Sequence, residues 1–134
     1  MEKITRKSIA FGKKELPQFD RMIAKRGYKN RSEAVRDLVR DSLVKEKTED
    51  PKSKMMATLT IVYNHHDHDV QHNLTHIQHH HPGLIISAMH THMNKDDCME
   101  VIVLRGKVRD IKSLGEMMIA AKGVRHGKLV LTGN

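Results

Sequence analysis

The chain has 134 residues, a formal net charge of +8 and one cysteine. That length accommodates one medium domain or two very small ones, and a single thiol excludes an internal disulfide framework. No apolar run approaches the roughly 20 residues that a membrane span needs, so a soluble, unexported cytoplasmic protein with no membrane partner is expected.

The charge sits mostly at one end. Residues 1–45 hold 13 Lys and Arg against 6 Asp and Glu, while residues 46–134 hold 11 against 10. A basic N-terminal region points to a polyanion as partner, although basic residues also serve simply to solvate helices. The aromatic residues are Phe11, Phe19, Tyr28 and Tyr63, so the interior leans on Leu, Ile, Val and nine Met. Small cores of that kind usually need oligomerisation.

Ile4 to Phe11 reads as a strand, with Arg6, Ser8 and Ala10 on one face and Lys7, Ile9 and Phe11 on the other. Leu16, Phe19 and Ile23 recur at helical spacing, Pro17 is tolerable in a first turn, and Gly27 supplies a stop. Asn30 followed by Glu33 resembles a capping box, and Ala34, Val35, Leu38, Val39 and Leu43 give a second helix its apolar face. One strand and two short helices cannot bury enough surface alone. Two copies are expected to pair their strands into an antiparallel ribbon, a shape that fits the major groove of double-stranded DNA. Arg6 and Ser8 would then face base edges, and Asn30, Arg31 and Ser32, at the amino end of the second helix, would hold a phosphate. A plain dimerisation module is the alternative, and basic Arg6 and Lys7 weigh against it.

Glu46 to Lys54 is polar and interrupted by Pro51, which marks a linker over residues 46–54 between domains at 1–45 and 55–134. Beyond it the pattern predicts a strand at Met55 to Tyr63, a helix near Asp67 to His79, and strands at Leu84 to Met93 and Cys98 to Leu104. A helix near Val108 to Ala121 and a strand at Lys128 to Leu131 complete it. The order β-α-β-β-α-β is the ferredoxin-like plan, and the fold class is α+β.

The densest chemistry lies in this second region. His79-His80-His81-Pro82-Gly83 is followed by His90-Thr91-His92, and Cys98 comes six residues later. Alternate residues of a strand share a face, so His90 and His92 can address one ion, and a hairpin through Asn94 to Asp97 brings Cys98 beside His92. Two imidazoles and a thiolate suit nickel, copper or zinc, and leave a fourth ligand missing. At about 100° per residue, His65, His68, His72, His76 and His79 fall on the helix face opposite Val70, Leu74 and Ile77, provided the helix extends back to His65. That stripe is either a solvated face or a set of additional, weaker metal sites, since histidines at i and i+4 can clamp an ion.

Four segments, Arg26 to Ala34, Gln78 to His81, His90 to Cys98 and Gly123-Val124-Arg125-His126-Gly127, stand in an order and spacing that closely resembles the nickel-responsive ribbon-helix-helix regulators of the NikR family. The resemblance covers nearly the whole chain. It implies a homotetramer, a dimer of dimers, with ribbon-helix-helix DNA-binding domains at the ends and ferredoxin-like regulatory domains of the ACT type at the centre. It further implies one Ni2+ per chain, held in a square plane by His90, His92 and Cys98 of one chain and His79 of another. Glu100 then orients ligand imidazoles, with a surface strand residue as its alternative. Glu33 and Asp37, one turn apart, correspond to a secondary cation site, their alternative being a cap and a solvated carboxylate. Departures lie in the ribbon, where Ala10 replaces a frequent hydroxyl and charged Lys7 faces the nominally apolar side, and in the abundance of histidines between 65 and 76.

The resulting expectation is a nickel-dependent regulator that binds operator DNA and represses nickel-uptake genes when nickel is sufficient. A copper or zinc regulator and a nickel storage or delivery protein are the rivals. A metalloenzyme is disfavoured because His79 from a neighbour would close the open coordination position and no general base demands catalysis.

Overall fold

The computed structural model describes residues 2–133. The chain divides into two compact units, Met1–Ser42 and Leu43–Asn134.

The first unit is built on α1 (Glu15–Lys25) and α2 (Arg31–Glu49), the second helix running on past the unit boundary. Helix α1 begins where the Gly12 and Glu15 amides are satisfied locally, Gly12 N donating to Glu15 Oε2 at 2.9 Å and Glu15 N donating to Gly12 O at 2.9 Å. It stops at Gly27, whose φ of +81° suits a residue without Cβ, and Tyr28 N returns to Ile23 O at 3.0 Å. Asn30 then caps α2, its Oδ1 accepting from Glu33 N at 2.9 Å. Ile23 of α1 and Ala34 of α2 are buried.

In the single chain the segment Ile4 to Phe11 has no regular structure, with Ile4 82% and Ile9 62% exposed. The expected strand needs a second copy to pair with. Helix α2 overruns the start of the polar segment and ends at Glu49, because Glu46, Lys47 and Glu49 are good helix formers and only Pro51 enforces a stop.

The second unit follows the order β1 (Lys54–Asn64), α3 (His68–His79), β2 (Ile85–His92), β3 (Asp97–Lys107), α4 (Val108–Ala120) and β4 (Val124–Gly133). This is the β-α-β-β-α-β order expected from the alternation of apolar residues. The strands form one antiparallel sheet in the order β2-β3-β1-β4. One face carries Ala57, Leu59, Ile61 and Tyr63 from β1 with Cys98, Ile102 and Leu104 from β3. It is packed against Val70 and Leu74 of α3 and Ile111, Leu114 and Met118 of α4. Each fully buried large aliphatic contributes about 1.5–3 kcal/mol. On the opposite face Val62, Val101 and Val103 are half-buried, while Met89 and Val130 are 61% and 55% exposed.

Strand β4 begins at Val124, four residues before the expected Lys128, because an outer strand tolerates the polar Arg125 and His126. Gly123 precedes it with φ +91°, and a Cβ there would run into Val70 of α3, so both backbone and packing call for glycine.

Candidate metal centre

Strand pairing decides which side chains meet. In the β2–β3 ladder His90 stands opposite Glu100 and His92 opposite Cys98, while Tyr63 of β1 stands opposite Cys98 on its other side. The hairpin is closed by Asn94, whose Oδ1 accepts from Asp96 N at 2.9 Å and Asp97 N at 2.8 Å, while Met93 N donates to Asp97 O at 2.9 Å. Strand pairing thus sets His92 beside Cys98, with His90 two residues earlier on the same strand opposite Glu100.

Glu100 is 3% exposed, and its neighbours show why a carboxylate can lie there. Tyr63 Oη donates to Glu100 Oε2 at 3.0 Å and Gln78 Nε2 donates to Glu100 Oε1 at 3.3 Å, while His90 Nε2 lies 3.5 Å from the same Oε1. Tyr63 Oη is also 3.3 Å from His90 Nδ1. Burial first, then a hydrogen bond to Cys98 and the charge of Glu100, pushes the Tyr63 phenol well above its ordinary range, which keeps it neutral and donating. Glu100 thus touches the imidazole of His90 and, through Gln78, the end of α3 next to His79. Tyr63, Gln78, Ala88, His90 and Glu100 line a cavity of about 370 Å³.

His79 is the last residue of α3 and is exposed. Among the described residues no group of three or more His, Cys, Asp or Glu side chains converges as a ready metal site within one chain. The chemistry of the donor set, two imidazoles and a thiol on adjoining strands, nevertheless suits a borderline-soft ion such as nickel.

The histidine stripe is shorter than expected. Helix α3 starts at His68 because Asp67 caps it, its Oδ1 accepting from Asp69 N at 3.1 Å and Val70 N at 3.3 Å. His65 consequently lies outside the helix, and its ring meets the ring of His92 edge-on at 4.8 Å. His68, His72 and His76 remain on exposed α3 positions, and His76 is joined by His80, ring centroids 4.2 Å apart. The sequence names Gln78 only within the Gln78 to His81 motif and Tyr63 only as a strand end, and assigns neither to the site. The signal for Tyr63 was its place as the last buried residue in the alternation of β1, opposite Cys98.

In the N-terminal unit Arg6, Ser8 and Ala10 are exposed, as are Asn30, Arg31 and Ser32. Arg31 is held by Asp20 through two bonds of 2.9 Å, which lowers the Asp20 pKa through the hydrogen bond to Arg31 and fixes the guanidinium at the start of α2. Asp37 accepts from Tyr28 Oη at 2.7 Å and from Arg40 Nη1 at 3.2 Å, whereas Glu33 is exposed one turn before it.

A family model described as the NikR C-terminal nickel-binding domain matches residues 56–132. The chain belongs to the NikR family. NikR relatives cover almost the full length. A nickel-responsive regulator of Geobacter metallireducens is 47% identical over 98% of this chain and 95% of its own length. One from Trichlorobacter lovleyi is 46% identical with the same coverage, and one from Thermococcus onnurineus is 45% identical over 97% of this chain and 94% of its own. These NikR relatives are named as regulators and not as enzymes. No helix among the described residues is long and apolar enough to cross a membrane.

Proposed function

We propose that this chain is a cytoplasmic, nickel-responsive repressor that binds operator DNA and silences nickel uptake when nickel is sufficient. The observation that carries the reading is the pairing of His92 with Cys98 beside a His90 held by buried Glu100, in a segment matched by a nickel-binding family model. His90, His92 and Cys98 supply three ligands. His79, exposed at the end of α3, supplies the fourth to a neighbouring subunit, giving one Ni2+ per chain. When bound, the ion ties two subunits together. Cys98 must be deprotonated and the imidazoles neutral, so affinity rises with pH.

Assembly follows from exposed apolar surface. The open sheet face with Met89, Val101, Val103 and Val130 is matched by a second copy, as expected of ACT-type domains paired into the centre of a tetramer. Ile4, Ile9, Phe11, Leu38, Val39 and Leu43 are exposed in one chain, and pairing of two N-terminal units into a ribbon-helix-helix dimer covers them. In that dimer Arg6, Ser8 and Ala10 lie on the ribbon face toward the major groove, and Asn30, Arg31 and Ser32 meet the phosphates. Residues 1–45 then form the DNA-binding domain and 55–134 the regulatory domain. Glu33 with Asp37 offers a secondary cation site, and His65, His68, His72 and His76 offer weaker sites for excess metal.

The test is selection of DNA sequences by the full protein loaded with nickel, copper or zinc. A specific site bound with nickel and lost on chelation supports the reading. Tighter specific binding with copper or zinc than with nickel points to a sensor of another metal, and many labile ions per chain with no specific site points to storage.

A further inference from the structure

The segment Gly123-Val124-Arg125-His126-Gly127 contributes no expected ligand, yet it lies at the end of the sheet that carries Cys98 and His92. Strand β4 is an outer strand, separated from β3 by β1. Arg125 bridges that separation past the last residue of β1: its Nη1 lies 2.8 Å from Asp97 Oδ1, and Asp97 is itself paired with Asn64. Asp97 Oδ1 is buried and makes no hydrogen bond with the described residues, so the guanidinium is what meets its charge. Leaving such an oxygen without a counter-charge is costly, and the carboxylate would have to move toward water.

Asp97 is also the knot of the β2–β3 hairpin. Its carbonyl accepts from Met93 N at 2.9 Å and Asn94 N at 3.4 Å, and its amide donates to Asn94 Oδ1 at 2.8 Å. The residues flanking this knot, His92 and Cys98, face each other across the ladder. A shift of the Asp97 backbone would act on the turn that joins the strands of these two ligands.

The geometry points to Arg125 as a positioning residue of the metal centre: its ion pair with Asp97 pins the hairpin, fixes His92 against Cys98, and so favours ions that accept a planar ligand set. The inference rests on the reading of His90, His92 and Cys98 as ligands. Selectivity among ions that accept nitrogen and sulfur is set by geometry more than by raw affinity. Zinc has no geometric preference from its d electrons and follows ligands that move, whereas a planar nickel site loses stabilisation when one ligand leaves the plane.

The experiment compares the full-length wild type with Arg125→Ala, Arg125→Lys and Asp97→Asn, titrated with nickel and, separately, with zinc. The readouts are thiolate-to-nickel charge-transfer absorption and the melting temperature of the metal-free proteins. In Arg125→Ala nickel affinity falls by roughly 10-fold or more, the range seen for groups that orient ligands. The planar spectrum loses intensity and zinc affinity changes much less. Arg125→Lys, which keeps the charge, recovers part of the nickel affinity, and Asp97→Asn reproduces the loss while preserving side-chain volume. An unchanged nickel titration in Arg125→Ala and Asp97→Asn overturns the proposal. So does an equal fall for nickel and zinc that tracks a lower melting temperature, because that is a purely structural effect. A wild type without any thiolate band refutes the ligand reading itself, which is distinct from a band that persists in the variants.

Discussion

Glu100 and Gln78, 22 residues apart in sequence, meet through a 3.3 Å hydrogen bond inside the second unit. That contact joins the sheet carrying His90, His92 and Cys98 to the end of the helix carrying His79. The proposed site thus has a physical link between ligands that act in one subunit and the ligand offered to another. Replacing Glu100 with Gln keeps the shape but removes the charge near His90. Nickel affinity is expected to fall about 10- to 100-fold, with the far-ultraviolet circular dichroism unchanged. Isothermal titration of the variant against wild type checks this, and equal affinities would make Glu100 an ordinary strand residue.

Alkaline stability reports on Tyr63. Its folded pKa is raised by burial, with Cys98 and Glu100 adding, above an ordinary value of about 10. The sign follows from linkage: the stabilisation is complete below the unfolded value and is lost as pH rises, because the unfolded chain releases the phenolic proton first. Unfolding free energy should therefore decline above roughly pH 10 by up to about 1.4 kcal/mol per pH unit from this group. Tyr63→Phe should flatten that part of the profile, measured by urea melts at successive pH values.

The two units should be separable by mutation. Arg6→Ala is expected to weaken specific DNA binding while leaving nickel uptake by the protein intact, and Cys98→Ala is expected to abolish tight nickel binding and, with it, the nickel dependence of DNA binding. Fluorescence anisotropy with labelled DNA, paired with metal titrations, reads both. Loss of nickel binding in Arg6→Ala would contradict the division of labour.

The exposed histidines of α3 should govern metal in excess of one ion per chain. The triple replacement of His68, His72 and His76 by Ala should lower the number of nickel ions retained in excess metal while preserving the first, tight equivalent. Unchanged stoichiometry would show that these histidines are a solvated face.

Much of this architecture is legible in the residues. The alternation Met55, Ala57, Leu59, Ile61, Tyr63 announces β1, and His90-Thr91-His92 with Cys98 announces a shared strand face. Local chemistry that a pattern does not weigh moved the boundaries: Asp67 captured the first amides of α3 and so left His65 beside His92. Ile4 to Phe11 has strand periodicity, but a strand also requires a second one, and none among the described residues pairs with it. The Arg125–Asp97 pair joins strands that are not neighbours, a relationship invisible to spacing along the sequence.

Nickel binding by Cys98 with His90 and His92 is tested by an optical titration of reduced, metal-free protein with nickel, run beside Cys98→Ala. Saturation at one ion per chain, a thiolate charge-transfer band and a low-spin planar spectrum are expected, all lost in the variant. A featureless spectrum with weak binding that does not depend on Cys98 would contradict nickel binding by these residues.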